Sequence, residues 1–320
     1  MNYGVIDVGS NTVRLCVYDV SADGKKFKTI MNRKTMAGLA SYVRDGKISE
    51  EGIAVAAESI GKCLKRASYL KPVRVDVFAT AVLRNISNSA QAIAAIESEA
   101  HCSIVLLSEE DEAHLGFVGA SSRDAMENGV LIDIGGGSSE VTLIVNSNDV
   151  MRASLPVGSL SSYKGHVEDI LPTEEEFASI RRAVRDLLDA DAHGMSEHRV
   201  RRLFGIGGSI RALAGVNARM LDDASERDMT HEDVDRLVCD LFERRRAFLD
   251  AVLHVSPERV HTIACGLSIL VELFDDFDAS TLHVCANGVR EGYLIDRMLK
   301  TCTNTRKGLP THVGRANGTA

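Results

Sequence analysis

A strand, a glycine turn and a second strand open this sequence, and the same arrangement returns near its middle. Residues 3–20 place two apolar runs around the turn DVGSN, and residues 129–145 place two around the turn DIGGGSS. A third strand is predicted after each pair, at 27–34 and at 150–156. The repeat indicates an internal duplication, which constrains the chain to two related halves.

The rest of the chain alternates helical and strand patterns, which is typical of an α/β protein. Helices are predicted at 49–69, 90–100, 109–120, 174–188, 209–218, 231–252, 257–274 and 289–300. Further strands are predicted at 73–79, 104–107, 201–206 and 281–285. We therefore predict α/β domains at 1–125 and 126–302, a helix at 289–300 packing back on the first domain, and a mobile tail at 303–320. A ligand is expected in the cleft between the domains.

Charge and cysteine usage exclude several classes of protein. The net charge of −8 argues against a nucleic-acid binder, because such proteins need a surplus of Lys and Arg. No apolar run approaches the roughly 20 residues that span a bilayer, and the first residues do not form a secretion signal, so no membrane association is expected. The seven cysteines lack a C-x-x-C pair, which predicts reduced thiols and a cytoplasmic location. A homodimer is compatible with the sequence.

The glycine turns favour phosphate binding. Small residues let the backbone approach a ligand, and successive N–H groups can then converge on phosphate oxygens. A third such turn, GIGGS, joins a strand to a helix, whose N-terminus adds partial positive charge. Each turn alone could be an ordinary connector, but three together predict a phosphate track. Its predicted donors are Ser10, Asn11, Gly135, Gly136, Gly137, Ser138, Gly207, Gly208 and Ser209.

Three carboxylates accompany these turns. Asp7 and Asp133 end the first strand of each repeat, and Glu140 follows the second turn. Carboxylates repel phosphates unless a cation lies between them, and Mg²⁺ is typically held by one or two carboxylates, phosphate oxygens and water. We therefore predict that these residues bind Mg²⁺, or another divalent cation such as Mn²⁺. The alternative is a turn cap or a solvated acid.

Five segments resemble motifs of the exopolyphosphatase and guanosine-pentaphosphate phosphohydrolase family, in the order expected. They are DVGSNTVRL (7–15), ATAVLRN (79–85), SEEDEA (108–113), DIGGGSSE (133–140) and ANGVREG (286–292). The resemblance implies duplicated actin-like, ribonuclease H-like domains of the actin, hexokinase and sugar-kinase superfamily. Longer members carry an added C-terminal HD-like domain, and this chain is expected to be the short form. Glu109 and Asp111 depart from the family pattern, where a glycine and a glutamate are usual.

The resemblance also implies roles for two residues. Glu112 occupies the position of the general base, and Arg84 is predicted to hold a phosphate through its guanidinium. From the residues alone, Glu112 would be a solvent-facing acid and Arg84 a surface ion pair. The segment Arg290–Glu291–Gly292 is interpreted as structural, at the start of the last helix.

The expected activity is metal-dependent release of terminal orthophosphate from inorganic polyphosphate. Hydrolysis of guanosine pentaphosphate at its 5′-phosphate is the alternative, because the same groups serve both substrates. A sugar or acetate-type kinase would need an adenosine pocket, for which the sequence gives no separate signal. A non-catalytic sensor of polyphosphate or an alarmone stays open, although Glu112, Asp133 and Glu140 argue against it.

Overall fold

The computed structural model describes residues 1–191, 194–221, 225 and 227–300. Its first half is built on a five-stranded sheet in the order β3-β2-β1-β6-β7. These strands are β1 Asn2–Val8, β2 Thr12–Val20, β3 Phe27–Met36, β6 Arg74–Ala79 and β7 Ile104–Leu106, and a separate hairpin comprises β4 Val43–Arg44 and β5 Lys47–Ile48. The central strand β1 runs antiparallel to β2 and parallel to β6.

The second half repeats this topology. Its sheet has the order β10-β9-β8-β11-β13-β12. The strands are β8 Gly129–Ile134, β9 Ser139–Val145, β10 Asn148–Leu155, β11 Arg202–Ile206, β12 Asp228–Thr230 and β13 Thr281–Val284. Strand β8 runs antiparallel to β9 and parallel to β11, as β1 does with β2 and β6. The predicted duplication is therefore visible in the strand order and in the strand directions.

Helices cover both sheets. They are α1 Glu50–Ser68, α2 Ala81–Arg84, α3 Ser89–Ala100, α4 Glu109–Ser121, α5 Ser159–His166, α6 Glu174–Asp191, α7 Gly207–Met220, α8 His231–Glu243, α9 Arg245–Val255, α10 Ile263–Phe277 and α11 Val289–Tyr293, which a π-helical segment Leu294–Leu299 continues. Helices α1 and α4 each begin after a serine whose side chain accepts a hydrogen bond from the first turn, Ser49 and Ser108. None of the helices in these described ranges is long and apolar enough to cross a membrane.

Two predicted helices were wrong in their bounds. The pattern at 231–252 is two helices, because Arg244 leaves the helical conformation with φ −121° and ψ 39°, which ends α8 and precedes α9. The segment predicted at 257–274 begins as a 3₁₀ turn, Pro257–Arg259, and α10 begins only at Ile263. Helix α5 was not predicted. The predicted tail at 303–320 lies outside the described residues, and the domain boundary at 125 stays a prediction.

Helices α4 and α11 cross in direct backbone contact beside the first sheet. A Cβ added at Gly119 would lie 1.9 Å from the carbonyl oxygen of Gly288, and one added at Gly292 would lie 1.8 Å from that of Leu115. Tyr293 and Leu115 are buried in one cluster with residues of the first sheet. This crossing fixes the start of α4 relative to the start of α11, and both starts carry charged side chains into the cleft described below.

Candidate active site

A cleft lies where the turns after β1 and β8 meet the beginning of α7. It encloses about 170 Å³ and is open at one side. Most of the predicted site residues line it: Asp7, Ser10, Asn11, Glu112, Asp133, Gly135, Gly136, Gly137, Ser138, Gly207, Gly208 and Ser209. Arg84 and Glu140 do not line the cleft. The structure therefore brings the three glycine turns together, as a phosphate track requires.

The first turn presents free amide groups to the cleft. The carbonyl of Asn11 accepts from the amides of Ala37 and Gly38, at 3.1 and 2.9 Å, and that of Ser10 accepts from Ala40 at 2.9 Å. Within the described ranges, the amides of Ser10 and Asn11 have no partner of their own. Because the acceptors are satisfied and the donors are not, the turn is suited to an anion.

The second turn has the same arrangement. The carbonyl of Gly135 accepts from the amide of Ser159 at 2.9 Å, and that of Gly136 accepts from Leu160 at 2.9 Å. The beginning of α5 therefore supplies donors for the turn's carbonyls. The amides of Gly136 and Gly137 find no acceptor in the part of the chain that the structure describes. Two related turns thus place unpaired donors in one cleft.

The third turn is the start of α7, where no side chain caps the helix. Its first amide groups therefore have no side-chain acceptor. Arg259 lies over this turn: its Nη1 donates to Ser209 Oγ at 3.1 Å, and a Cβ added at Gly208 would lie 2.1 Å from its Nη2. A helix N-terminus and a guanidinium group together form a strong binding position for a phosphate oxygen.

Gly207 is required at this turn for two reasons. Its φ of +83° favours glycine, and an added Cβ would lie 2.0 Å from Asp133 Oδ1. For the phosphate release that the family resemblance implies, we expect Gly207→Ala to displace Asp133 and to lower the rate by about 10²-fold, the usual cost of a small misplacement at a reacting centre. Phosphate release and thermal unfolding measure the two effects. Gly61→Ala is the matched control, since Gly61 lies in α1 and, apart from its chain neighbours and its own helix backbone, no heavy atom lies within 4 Å of its added Cβ. Equal activity of the two variants would contradict the assignment.

Asp133 faces the cleft without a protein partner. No hydrogen bond or ion pair joins its carboxylate to any residue in the described ranges. Burial raises its pKa, and nearby Asp7 adds to the effect, while the Arg211 and Arg290 guanidinium groups oppose it. The half-buried carboxylate of Asp133 opens to the cleft and has no protein partner in the described ranges, so this arrangement fits a bound cation.

The other two predicted metal ligands are already engaged. Asp7 Oδ2 accepts from Arg290 Nη1 at 2.9 Å. Glu140 is buried, and its Oε1 accepts from Ser138 Oγ at 2.7 Å and Ser154 Oγ at 3.0 Å. Burial holds the pKa of Glu140 well above its ordinary range, and Glu112 and Asp133 add to the effect. Among the three, Asp133 alone combines exposure to the cleft with a free carboxylate.

Glu112 lies in the first turn of α4 and reaches the cleft. Its Oε2 accepts from Arg84 Nη1 at 2.8 Å, and the same nitrogen donates to the carbonyl of Leu107 at 3.0 Å. Burial raises the pKa of Glu112 to about 7; Asp133 and Asp7 act in the same direction, and Arg84 opposes them. A carboxylate with a pKa near neutrality can both accept and return a proton at physiological pH.

Arg84 lies behind Glu112 rather than at the cleft surface. Its Nε and Nη2 atoms are buried without a hydrogen-bond partner. Its Nη1 atom donates to Glu112 Oε2 at 2.8 Å. Phosphate binding by Arg84 stays a prediction. The observed geometry instead makes Arg84 a support for the orientation and charge of Glu112.

Sequence reasoning missed most of the cationic lining of the cleft. The side chains concerned are Arg14, Lys34, Arg211, Arg259 and Arg290. Arg14 has no partner in the described ranges, and Arg211 donates only to the carbonyls of Gly207 and Ala286. Arg290, interpreted above as structural, reaches into the cleft. Its place in the ANGVREG segment was a usable signal, whereas no local pattern marked Arg259.

A second group of metal-ligand residue types lies outside the cleft. Atoms of Asp124, His283 and Cys285 lie within 4.8 Å of one another. Asp124 Oδ1 already accepts from Arg227 at 2.7 Å, and the two ring nitrogens of His283 lie 2.7 Å from Asp228 and 3.4 Å from Asp124. Since a guanidinium group already neutralises Asp124, we assign this group to the structure and not to a metal.

Comparison with known proteins decides the family. The sequence profile of the Ppx/GppA phosphatase family matches residues 17–301. This chain belongs to the Ppx/GppA phosphatase family. Two solved structures share its fold: an exopolyphosphatase from Cytophaga hutchinsonii, with a TM-score of 0.80 and 22% identity, and the Aquifex aeolicus Ppx/GppA family member, with 0.73 and 23%. Each comparison covers 94% of this chain and 98% of the other.

The predicted fold class is thereby confirmed for this Ppx/GppA member. Its two sheets have the strand order of duplicated actin-like, ribonuclease H-like domains. The likeness to the Cytophaga and Aquifex structures extends over nearly the whole of each chain. At such low identity it establishes the fold alone, so the roles of individual residues depend on the geometry of the cleft.

Proposed function

We propose that this Ppx/GppA member hydrolyses the terminal phosphate of inorganic polyphosphate in the cleft. The main support for this proposal is that several hydrogen-bond donors without acceptors share one cleft with the unpaired carboxylate of Asp133. Free amides of two glycine turns, the open start of α7 and the guanidinium group of Arg14 line the same cleft as Asp133. Such a surface suits a flexible polyanion, because every phosphate of the chain offers the same acceptor oxygens.

A divalent cation, Mg²⁺ or Mn²⁺, fits this arrangement. Asp133 would hold it together with phosphate oxygens and water, which is the usual coordination of Mg²⁺ in phosphate sites. When bound, the cation neutralises negative charge on the phosphates. Asp7 would add negative charge near the cation. Glu140, which is paired with Asp133 across strands β8 and β9, would act only through Asp133 and not as a ligand.

Glu112 is proposed as the general base. It would orient a water molecule and accept its proton while the water oxygen bonds to the terminal phosphorus. The bond from that phosphorus to the bridging oxygen breaks, and orthophosphate and a chain shorter by one unit result. The amides of Gly136 and Gly137 would stabilise the charge on the transferred group. Arg84 would keep one oxygen of Glu112 fixed, so that the other faces the cleft.

Hydrolysis of guanosine pentaphosphate is the second candidate. The catalytic groups would be the same, but this substrate also needs room for a nucleoside. The cleft encloses about 170 Å³, less than the roughly 300 Å³ at which small-molecule pockets begin. This small volume favours polyphosphate, because a phosphate chain carries no nucleoside that the cleft would have to accommodate.

Phosphate release from polyphosphate and from guanosine pentaphosphate, at equal concentration, tests the proposal. We expect faster release from polyphosphate, dependence on Mg²⁺ or Mn²⁺, and loss of activity on chelation. Faster release from guanosine pentaphosphate would show that the second candidate, and not polyphosphate, is the preferred substrate. Tight binding of either substrate without release under any of these conditions would identify a sensor.

The pH dependence of kcat/KM gives an independent prediction. Because Glu112 must be deprotonated to act as a base, activity should fall with acid through a pKa of about 7. Arg84 lowers that pKa, so Arg84→Gln should move this acid limb to higher pH. Arg66→Gln, at an exposed position of α1, is the matched control and should leave the limb in place. If Arg84→Gln raised KM but left the acid side of the pH profile in place, that result would instead support phosphate binding by Arg84.

A further inference from the structure

A row of charged side chains crosses the first sheet from its centre to its edge. Asp7 on β1 pairs in register with Arg14 on β2, and Arg14 pairs with Lys34 on β3. Residues that oppose each other in antiparallel strands project from the same face, and all three of these line the cleft. At about 4.8 Å between strands, the row is roughly 10 Å long. It leads from the carboxylates at the reacting centre to the edge strand.

Lys34, at the outer end of the row, forms an ion pair across the cleft with Glu258. Both side chains are partly exposed, at 26% and 29%, and therefore lie at the rim. Glu258 also accepts from Ser256 Oγ at 2.8 Å, and these hydrogen bonds outweigh burial and lower its pKa to about 2. Glu258 is thus ionised at any working pH. By contrast, the guanidinium group of Arg14 in the middle of the row makes no hydrogen bond or ion pair within the described ranges.

We propose that Lys34 and Glu258 form a gate that makes binding depend on the length of the phosphate chain. This inference rests on the proposed function and assigns Lys34 as a residue that determines specificity. A chain whose end lies at Asp133 would pass Arg14 and, if long enough, reach Lys34. Its phosphate oxygens would then replace Glu258 on the ammonium group, which a flexible four-carbon stem carries. A short chain would end before the rim and leave the ion pair intact.

The alternative is that the pair only ties the two halves together. A second contact of this kind exists, since Lys164 Nζ donates to the carbonyl of Ala40 at 2.8 Å. The two explanations predict opposite effects of Glu258→Gln on the binding of long chains. If the pair is a tie, Lys34→Ala and Glu258→Gln both loosen the closed cleft and weaken binding. If it is a gate, Glu258→Gln frees Lys34 and strengthens the binding of long chains.

The test measures the Kd of a long polyphosphate and of tripolyphosphate in a Glu112→Gln background, where binding is separated from hydrolysis. We expect Lys34→Ala to weaken long-chain binding by about fivefold, the usual scale for a partly exposed pair. Glu258→Gln should strengthen it by a similar factor, and in both variants the shift for tripolyphosphate should be clearly smaller. Lys28→Ala is the matched control, because Lys28 is exposed on the same strand and does not line the cleft.

A double variant tests whether Glu258 acts through Lys34. In a Lys34→Ala chain, Glu258→Gln should have no further effect on the Kd of the long chain. Weaker binding by Glu258→Gln, or equal shifts for long and short chains, would overturn the gate. If the Kd values followed the shifts predicted for a gate but the parent protein released no phosphate, the proposed function would be wrong and the gate would still stand. Absence of any polyphosphate binding by the parent would defeat both.

Discussion

Glu112→Gln is expected to lower kcat for phosphate release by about 10²–10⁴-fold while leaving the Kd for polyphosphate near that of the parent. Glutamine keeps the shape of the side chain and an oxygen that can accept from Arg84 Nη1, so the local structure should persist. It cannot take a proton from water. Rate and affinity should therefore separate, which phosphate release and a competition binding measurement can show.

Glu110→Gln is the matched control for this variant. Glu110 lies in the same first turn of α4, but it is exposed and does not line the cleft. We expect its kcat and Kd to stay close to the parent values. If Glu112→Gln lost affinity and rate together, Glu112 would be structural or linked to the metal.

Asp133→Asn should have the second large effect, a loss of phosphate release of about 10³-fold. Asparagine removes the negative charge that a cation needs but keeps the shape of the residue. Because the half-buried carboxylate makes no hydrogen bond or ion pair within the described ranges, its replacement removes no such contact and should leave thermal stability unchanged or raise it. Mg²⁺ together with polyphosphate should raise the Tm of the parent but not that of the variant.

Asp186→Asn is the control for Asp133→Asn, since Asp186 is exposed on α6 outside the cleft. Its activity and its Mg²⁺-dependent Tm shift should match those of the parent. Parent-like turnover by Asp133→Asn at saturating Mg²⁺ would show that Asp133 does not hold the cation. A marked fall in its Tm would instead indicate a structural role in the second sheet.

Local patterns in the sequence were sufficient for the duplicated fold. Apolar runs defined the paired strands, and small residues between them defined the turns after Asp7 and Asp133. The break at Arg244 was missed because no glycine or proline marks it, so the helical periodicity continues across two helices. Helix α5 was missed because its polar sequence SLSSYKGH has no apolar stripe. Tertiary hydrogen bonds from its first turn to the second glycine turn explain its place.

The cleft was less predictable than the fold. Backbone donors could be inferred, because the turns that carry them are contiguous in sequence. Partners that are distant in the chain could not: Arg290 reaches Asp7 only because α11 returns to the first sheet, and Lys34 meets Glu258 only across the cleft. Arg84 shows the same limit, since its contact with Glu112 depends on the packing of α2 against the start of α4.

Product analysis on a polyphosphate of one defined length measures the proposed reaction most directly. In the presence of Mg²⁺, the products should be orthophosphate and chains that shorten one unit at a time from the end, because the cleft contains a single proposed reacting centre, at Asp133 and Glu112. Chelation and Glu112→Gln should each suppress both products. Internal fragments of intermediate length, or an unchanged chain in the presence of Mg²⁺ or Mn²⁺, would contradict terminal hydrolysis in this cleft.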